Sequence, residues 1–149
     1  MPSPTQISPE EVERLHAVMG AQGQADAPAL VAAASTAARL SRWSDVVHLA
    51  QAALVLDPHN ARAWGLVGQA AEAAGRFPDA RRAFETAVGL DDRDMGLALA
   101  AARAQANTGA VSPARALLTY VLLRSSSQTL RSEAQKLLDT LPSDPGAGP

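Results

Sequence analysis

The sequence predicts an all-α protein built from stacked helical hairpins. Three observations carry this reading. Apolar residues make up 47% of the chain but aromatic residues only 3%, with alanine and leucine dominant. That composition favours closely packed helices over a sheet. Apolar and small residues recur three and four positions apart in successive stretches, each broken by glycine, serine or proline. The whole pattern returns every 34 residues, and self-similarity at a fixed period marks a stack of repeats.

Taken in order, residues 1–7 read as a disordered lead. Ser8 is an N-cap, Pro9 suits the first helical position, and Glu11 completes a capping box. Val12, Leu15 and Met19 then share one face of a helix that Gly20 stops. Residues up to 25 form a joint, and residues 26–141 form the repeat domain.

The repeats are clearest at 61–94, where Trp64, Val67, Gly68 and Ala71 lie on a first helix. Gly75 ends it, and Phe77 opens a second helix carrying Ala80, Phe84 and Ala87. Two helices approach closely only where small residues face each other. Gly68, Ala80 and Ala87 supply such contacts, while Trp64, Phe77 and Phe84 fill the space around them. The repeat at 27–60 places Leu30, Ala33, Ala34 and Ala37 on the first set. Ser41 stands for Gly75, Trp43 for Phe77, and Val46, Ala50 and Ala53 for the second set. The repeat at 95–126 places Ala98, Ala101 and Ala102, then Gly109 at the turn. There Ser112-Pro113 is expected to cap and start the second helix, with Ala114, Leu118 and Val121 inward.

The run Ser125-Ser126-Ser127 breaks that helix and caps another. This closing helix, within 127–141, carries Leu130, Ala134, Leu137, Leu138 and Leu141 as its buried stripe and covers the end of the stack. Residues 142–149 read as a disordered tail.

The residues of 61–94 resemble a tetratricopeptide repeat, and the 34-residue period extends the resemblance over roughly 27–141. It implies three hairpins in a right-handed superhelix, with an N-terminal helix and a C-terminal capping helix. It also implies a concave groove lined by the first helix of each hairpin. By repeat position the candidate peptide-binding residues are Val31, Ser35, Arg39, Arg62, Leu66, Gln69, Leu99, Arg103 and Asn107. The groove is rich in small residues, which leaves room for a ligand's side chains. Arg39, Arg62 and Arg103 are candidate donors to that ligand, although each arginine could equally serve only to solubilise its face. Related co-chaperones grip acidic C-termini with a clamp of lysine, asparagine and arginine. The matching positions here, Val31, Ser35, Leu66, Gly96 and Ala100, cannot hold a carboxylate.

The layout also resembles the tetratricopeptide chaperones of type III secretion translocators, whose central repeat looks like LVLDPHNARAWGLVGQAAEAAGRFPDARRAFETAVGLDDRD. That resemblance implies an extended, apolar client kept soluble in the groove, with the helix after Pro9 as a candidate dimerisation element. This groove lacks the tyrosines that such chaperones often present.

Other function classes find little support. The chain has no cysteine, which excludes disulfides, thiolate metal sites and a cysteine nucleophile. His16, His48 and His59 lie in separate segments without metal-ligand spacing. Asp91, Asp92 and Asp94 lack the glycine and distal glutamate of a calcium loop, and suit a helix start. None of GxxxxGK[ST], GxSxG or HExxH occurs. A formal net charge of −2 argues against nucleic acid. No run of 18 apolar residues exists to span a bilayer, and the polar start shows no secretory signal. The expectation is a cytoplasmic, non-enzymatic protein without cofactors that binds a protein or peptide.

Overall fold

The computed structural model describes residues 26–143. The helix expected after Pro9, its dimerisation role and the end of the expected tail lie outside the described residues. Among the described residues seven helices follow one another: α1 (Ala27–Arg39), α2 (Trp43–Leu56), α3 (Ala61–Ala73), α4 (Phe77–Leu90), α5 (Met95–Asn107), α6 (Val111–Arg124) and α7 (Gln128–Thr140). No strand occurs among the described residues. The helices pair as hairpins α1–α2, α3–α4 and α5–α6, and each hairpin packs on the next. Helix α1 also touches α3, and α7 touches both α6 and α5. The first helices of the hairpins therefore lie side by side.

Local sequence explains where these helices begin. Asp26, Asn60, Asp94 and Ser127 cap α1, α3, α5 and α7, accepting from the amides of Ala29, Ala63, Leu97 and Leu130 at 2.9, 3.0, 3.1 and 3.3 Å. Each bond satisfies an amide that the helix start leaves without a partner. The acidic run around Asp91 thus supplies a cap through Asp94 and a turn bond from the Arg93 amide to Asp91 Oδ1 at 3.1 Å.

Within each hairpin the turn has one geometry. The residue after the C-cap takes positive φ: Ser41 at 56°, Gly75 at 75° and Gly109 at 83°. Its amide donates to Ala38, Glu72 or Ala106, and the next amide donates to Ala37, Ala71 or Gln105 at 2.8 to 2.9 Å. That pair of bonds is the Schellman arrangement, which closes a helix through a left-handed residue. The second helix then starts at once, after Arg42, Arg76 or Ala110, with no side-chain cap. The expected Ser112-Pro113 cap is corrected accordingly. Helix α6 begins at Val111, because the Schellman turn ends at Ala110 and leaves no room for a separate cap.

The core runs along the hairpin interfaces. Phe84, Leu118, Val46 and Val121 are its largest fully buried side chains. Ala34, Ala50, Ala80, Ala98, Ala101 and Ala102 are sealed from solvent too, which lets neighbouring helices close on one another. Phe77, expected to fill space between helices, is 37% exposed at the start of α4. Trp64 is half-buried and donates its indole N–H to the Pro58 carbonyl at 3.0 Å, tying α3 to the junction before it. On α7, Ala134 is fully buried, and Leu130, Leu137, Leu138 and Leu141 pack against the cluster around Leu99, Leu118 and Val121.

Candidate binding groove

Helices α1, α3 and α5 present small and polar side chains on the face that the hairpins leave open. Two depressions adjoin there. One, of about 440 Å³, is lined by Ser35, Ala38, Arg39, Leu66 and Gln69. The other, of about 270 Å³, shares Ser35, Leu66 and Gln69 and adds Arg62, Gly65, Asp94, Gly96 and Ala100 among others. Three residues common to both make one continuous trough across α1, α3 and α5. Small residues line it, with alanine at 38 and 100 and glycine at 96, while glycine at 65 admits the Leu97 side chain, whose Cδ2 would lie 2.5 Å from a Cβ there.

The sequence-predicted residues divide by what the fold does with them. Ser35, Arg39, Arg62, Leu66 and Gln69 meet in the trough. The Ser35 hydroxyl donates to the Val31 carbonyl at 2.9 Å, so its hydrogen is committed to α1 while its oxygen keeps acceptor capacity. Arg39 leans on Thr36 Oγ1 at 3.5 Å and stays exposed. Leu66 is buried except for the surface it gives to the floor. Val31 is only 3% exposed and belongs to the core cluster with Leu30 and Ala34. Its place at the groove position is a packing place, because α1 and α3 close over it. Asn107 is exposed at the end of α5, beside neither depression.

Arg103 is engaged within the fold. Its Nε and Nη2 donate to the two carboxylate oxygens of Glu72 at 3.2 and 3.0 Å, bridging α3 and α5. The Arg103 side chain remains 44% exposed, and the Glu72 side chain 25%. Arg103, a candidate ligand donor by repeat position, is thus also an ion-pair partner within the fold. Two of the five guanidinium N–H donors are committed within the fold.

A third depression, of about 450 Å³, lies between α5 and α7, lined by Leu99, Arg103, Glu133, Lys136, Leu137 and Thr140. Sequence reading gave Leu99 and Arg103 to the groove but left α7 as a lid. A signal was present. An offset of 33 residues carries Ala101 onto Ala134 and Arg103 onto Lys136, so α7 matches the first helix of a further hairpin.

A polar cluster joins α4 to α5. Arg81 Nε and Gln105 Nε2 donate to Glu85 Oε1 at 2.6 and 3.2 Å, and Arg81 Nη1 reaches Thr108 Oγ1 at 3.4 Å. Burial pushes the Glu85 carboxyl up. The hydrogen bonds from Arg81 and Gln105 and the charge of Arg81 outweigh it, holding the group below the usual carboxylate range.

Several solved structures share this architecture. The translocator chaperone SycD of Yersinia enterocolitica, in complex with a peptide of the translocator YopD, aligns with a TM-score of 0.65 at 17% identity, over 90% of this chain and 94% of that one. PcrH of Pseudomonas aeruginosa aligns with a TM-score of 0.64 at 16% identity, over 93% and 97%. The first tetratricopeptide domain of Spaghetti (RPAP3), bound to the HSP90 peptide SRMEEVD, aligns with a TM-score of 0.68 at 15% identity, over 76% and 94%.

The fold is that of a tetratricopeptide-repeat domain.

At these identities the likeness is one of fold. No family model matches the chain, and no curated protein matches it by sequence. In the tetratricopeptide arrangement α1, α3 and α5 are the inner helices and α2, α4 and α6 the outer ones, so the three depressions share the inner face. No helix among the described residues is long and apolar enough to cross a membrane. No cluster of three or more His, Asp or Glu suited to a metal ion occurs among them.

Proposed function

We propose that this chain is a non-enzymatic binding module that holds an extended protein segment along its inner face. The observation that carries the reading is the continuous trough over α1, α3 and α5, floored by Leu66 and flanked by Ser35, Arg39, Arg62 and Gln69. An extended segment fits such a surface. Its alternate side chains enter the depressions, and the polar rim bonds its backbone. Structures of the same fold hold peptides, namely those of SycD with YopD and of RPAP3 with the HSP90 peptide. The candidate residues in the trough are Ser35, Arg39, Arg62, Leu66 and Gln69. The repeat units of the module are 27–60, 61–94 and 95–126.

A narrower reading is a chaperone of a type III secretion translocator, working in the cytoplasm to keep an apolar client soluble. The neighbours favour it, since SycD has been solved with a peptide of the translocator YopD and PcrH with the chaperone binding region of PopD.

The test is affinity purification of the tagged protein from its native organism, wild type against Ala100→Trp. The tryptophan fills the trough from a half-buried position on α5. A partner that is retained by the wild type and lost by the variant supports the module. One dominant apolar secreted protein supports the chaperone, whereas several soluble proteins of one pathway sink it. Identical partners on both baits remove the trough as the binding surface.

A further inference from the structure

Charge on the inner face is matched within the fold at all but one place. Arg103 is bonded to Glu72, and Lys136 shares its depression with Glu133. Arg62 shares the depression of about 270 Å³ with Asp94. The depression of about 440 Å³ between α1 and α3 differs. Its lining of Ser35, Ala38, Arg39, Leu66 and Gln69 contains one cation and no carboxylate. Arg39 forms no ion pair among the described residues, whereas Arg42, Arg81, Arg82 and Arg103 each do. Its one hydrogen bond, to Thr36 Oγ1, is 3.5 Å long. Glu72, three residues beyond Gln69 on α3, is held on both carboxylate oxygens by Arg103.

The rest of this depression sorts by chemistry. Gln69 is exposed, and its side-chain amide adds N–H donors beside the guanidinium. Ser35 commits its hydrogen to the Val31 carbonyl, so it offers an acceptor, which suits a backbone N–H of the segment and not a carboxylate. Leu66 supplies an apolar floor. A neutral segment laid over Arg39 would strip water from an unpaired charge. A carboxylate replaces that water with charge-assisted hydrogen bonds.

Resting on the groove reading above, we propose that Arg39 is an acidic anchor point that sets the register of the bound segment. One Asp or Glu side chain of the segment accepts from the Arg39 guanidinium and the Gln69 amide, and a neighbouring aliphatic side chain lies on Leu66. The segment needs no second acidic residue, because every other cation lining the inner face already shares its depression or a bond with a carboxylate. A single charged contact at one end of a small-residued trough fixes where the segment starts without fixing its whole sequence.

A random peptide library displayed on phage tests this, selected on the full chain, on Arg39→Gln and on Lys136→Gln. Each peptide is joined to the coat protein through its C-terminus, so only side-chain carboxylates are sampled. Both substitutions remove one exposed cation from the inner face, which separates position from net charge. The expected wild-type selection is aliphatic and small residues with one Asp or Glu at a constant spacing from an aliphatic residue. On Arg39→Gln the apolar pattern should persist without the acidic residue, and on Lys136→Gln both should persist. A representative acidic peptide should lose affinity about fivefold on Arg39→Gln, the scale of one solvent-screened ion pair. Its Gln counterpart should bind wild type and Arg39→Gln equally, which a role of Arg39 confined to the end of α1 would not predict if the helix frayed. Selections without an acidic residue, acidic enrichment that survives Arg39→Gln, or a Gln counterpart weakened as much as the acidic peptide overturn the anchor and leave the groove standing. Enrichment lost equally on Lys136→Gln overturns it too, as an effect of net charge. Failure to enrich any sequence on all three proteins overturns the groove reading and the anchor together.

Discussion

Gly68 on α3 lies against the ring of Phe84 on α4 so closely that a Cβ at position 68 would stand 2.8 Å from Cδ1 and Cε1. The ring has no solvent-exposed surface and nowhere to move. A methyl group at 68 therefore demands a shift of packed helices. Gly68→Ala should lower stability by about 1–3 kcal/mol, and Gly68→Leu by more. Phe84→Ala should cost about 3–5 kcal/mol through the cavity it leaves. Urea denaturation of the variants measures both, and an unchanged midpoint for Gly68→Leu would contradict the packing described.

The three hairpin turns offer an internal comparison. Ser41 takes a φ of 56° where the other repeats place glycine. A Cβ at Gly75 or Gly109 would meet nothing within 4 Å, so the cost of a side chain there is one of backbone conformation alone. Ser41→Gly should stabilise the protein by up to about 1 kcal/mol, and Gly75→Ala or Gly109→Ala should destabilise it by about 1 kcal/mol. Thermal melts of the three variants check the signs.

Glu72 and Arg103 couple two hairpins across a half-exposed interface. Solvent screening limits the pair, so a double-mutant cycle with Glu72→Gln and Arg103→Gln should return a coupling of about 0.5–1 kcal/mol. Arg103→Glu faces Glu72 with a like charge and should destabilise beyond Arg103→Gln. Adding Glu72→Arg should recover most of that loss. Chemical denaturation at low and high salt measures the cycle, and a coupling insensitive to salt would argue against an ion pair.

The Glu85 carboxyl titrates below its usual range in the folded chain. A depressed folded value means the carboxylate form is favoured by folding. Its contribution is complete above the unfolded pKa and is lost as pH falls through the folded one. Wild-type stability should decline on acidification more steeply than that of Glu85→Gln, which keeps an acceptor for Arg81 but cannot titrate. Denaturation midpoints across the acid range compare the two, and parallel profiles would remove Glu85 as a source of the dependence.

Much of the fold was legible because its signals are local. The 34-residue period placed Gly75, Gly109 and Ser41 at one turn position, and all three adopt positive φ. Ser127 was readable as a cap, since an N-cap bonds an amide three residues on. Ser112 misled the same reasoning. It has the right residue type before a proline, but the Schellman turn behind it had already begun the helix at Val111. Repeat position alone brought Ser35, Arg39, Arg62, Leu66 and Gln69 to one trough, while Val31 is buried in the core, because a repeat position that lines a depression in one hairpin can be covered by neighbours in another.

By itself, then, the amino-acid order determined the helices, their pairing into hairpins and the face that stays open. Helical spacing, small residues at crossings and left-handed turn positions act between residues close in the chain. Only the tertiary structure decided which charges on that face are committed and how far the face extends. Arg103 meets Glu72 from 31 residues away, and α7 joins α5 at an offset of 33 rather than 34. Long side chains choose partners by geometry in space, so those facts became visible only once the hairpins were stacked.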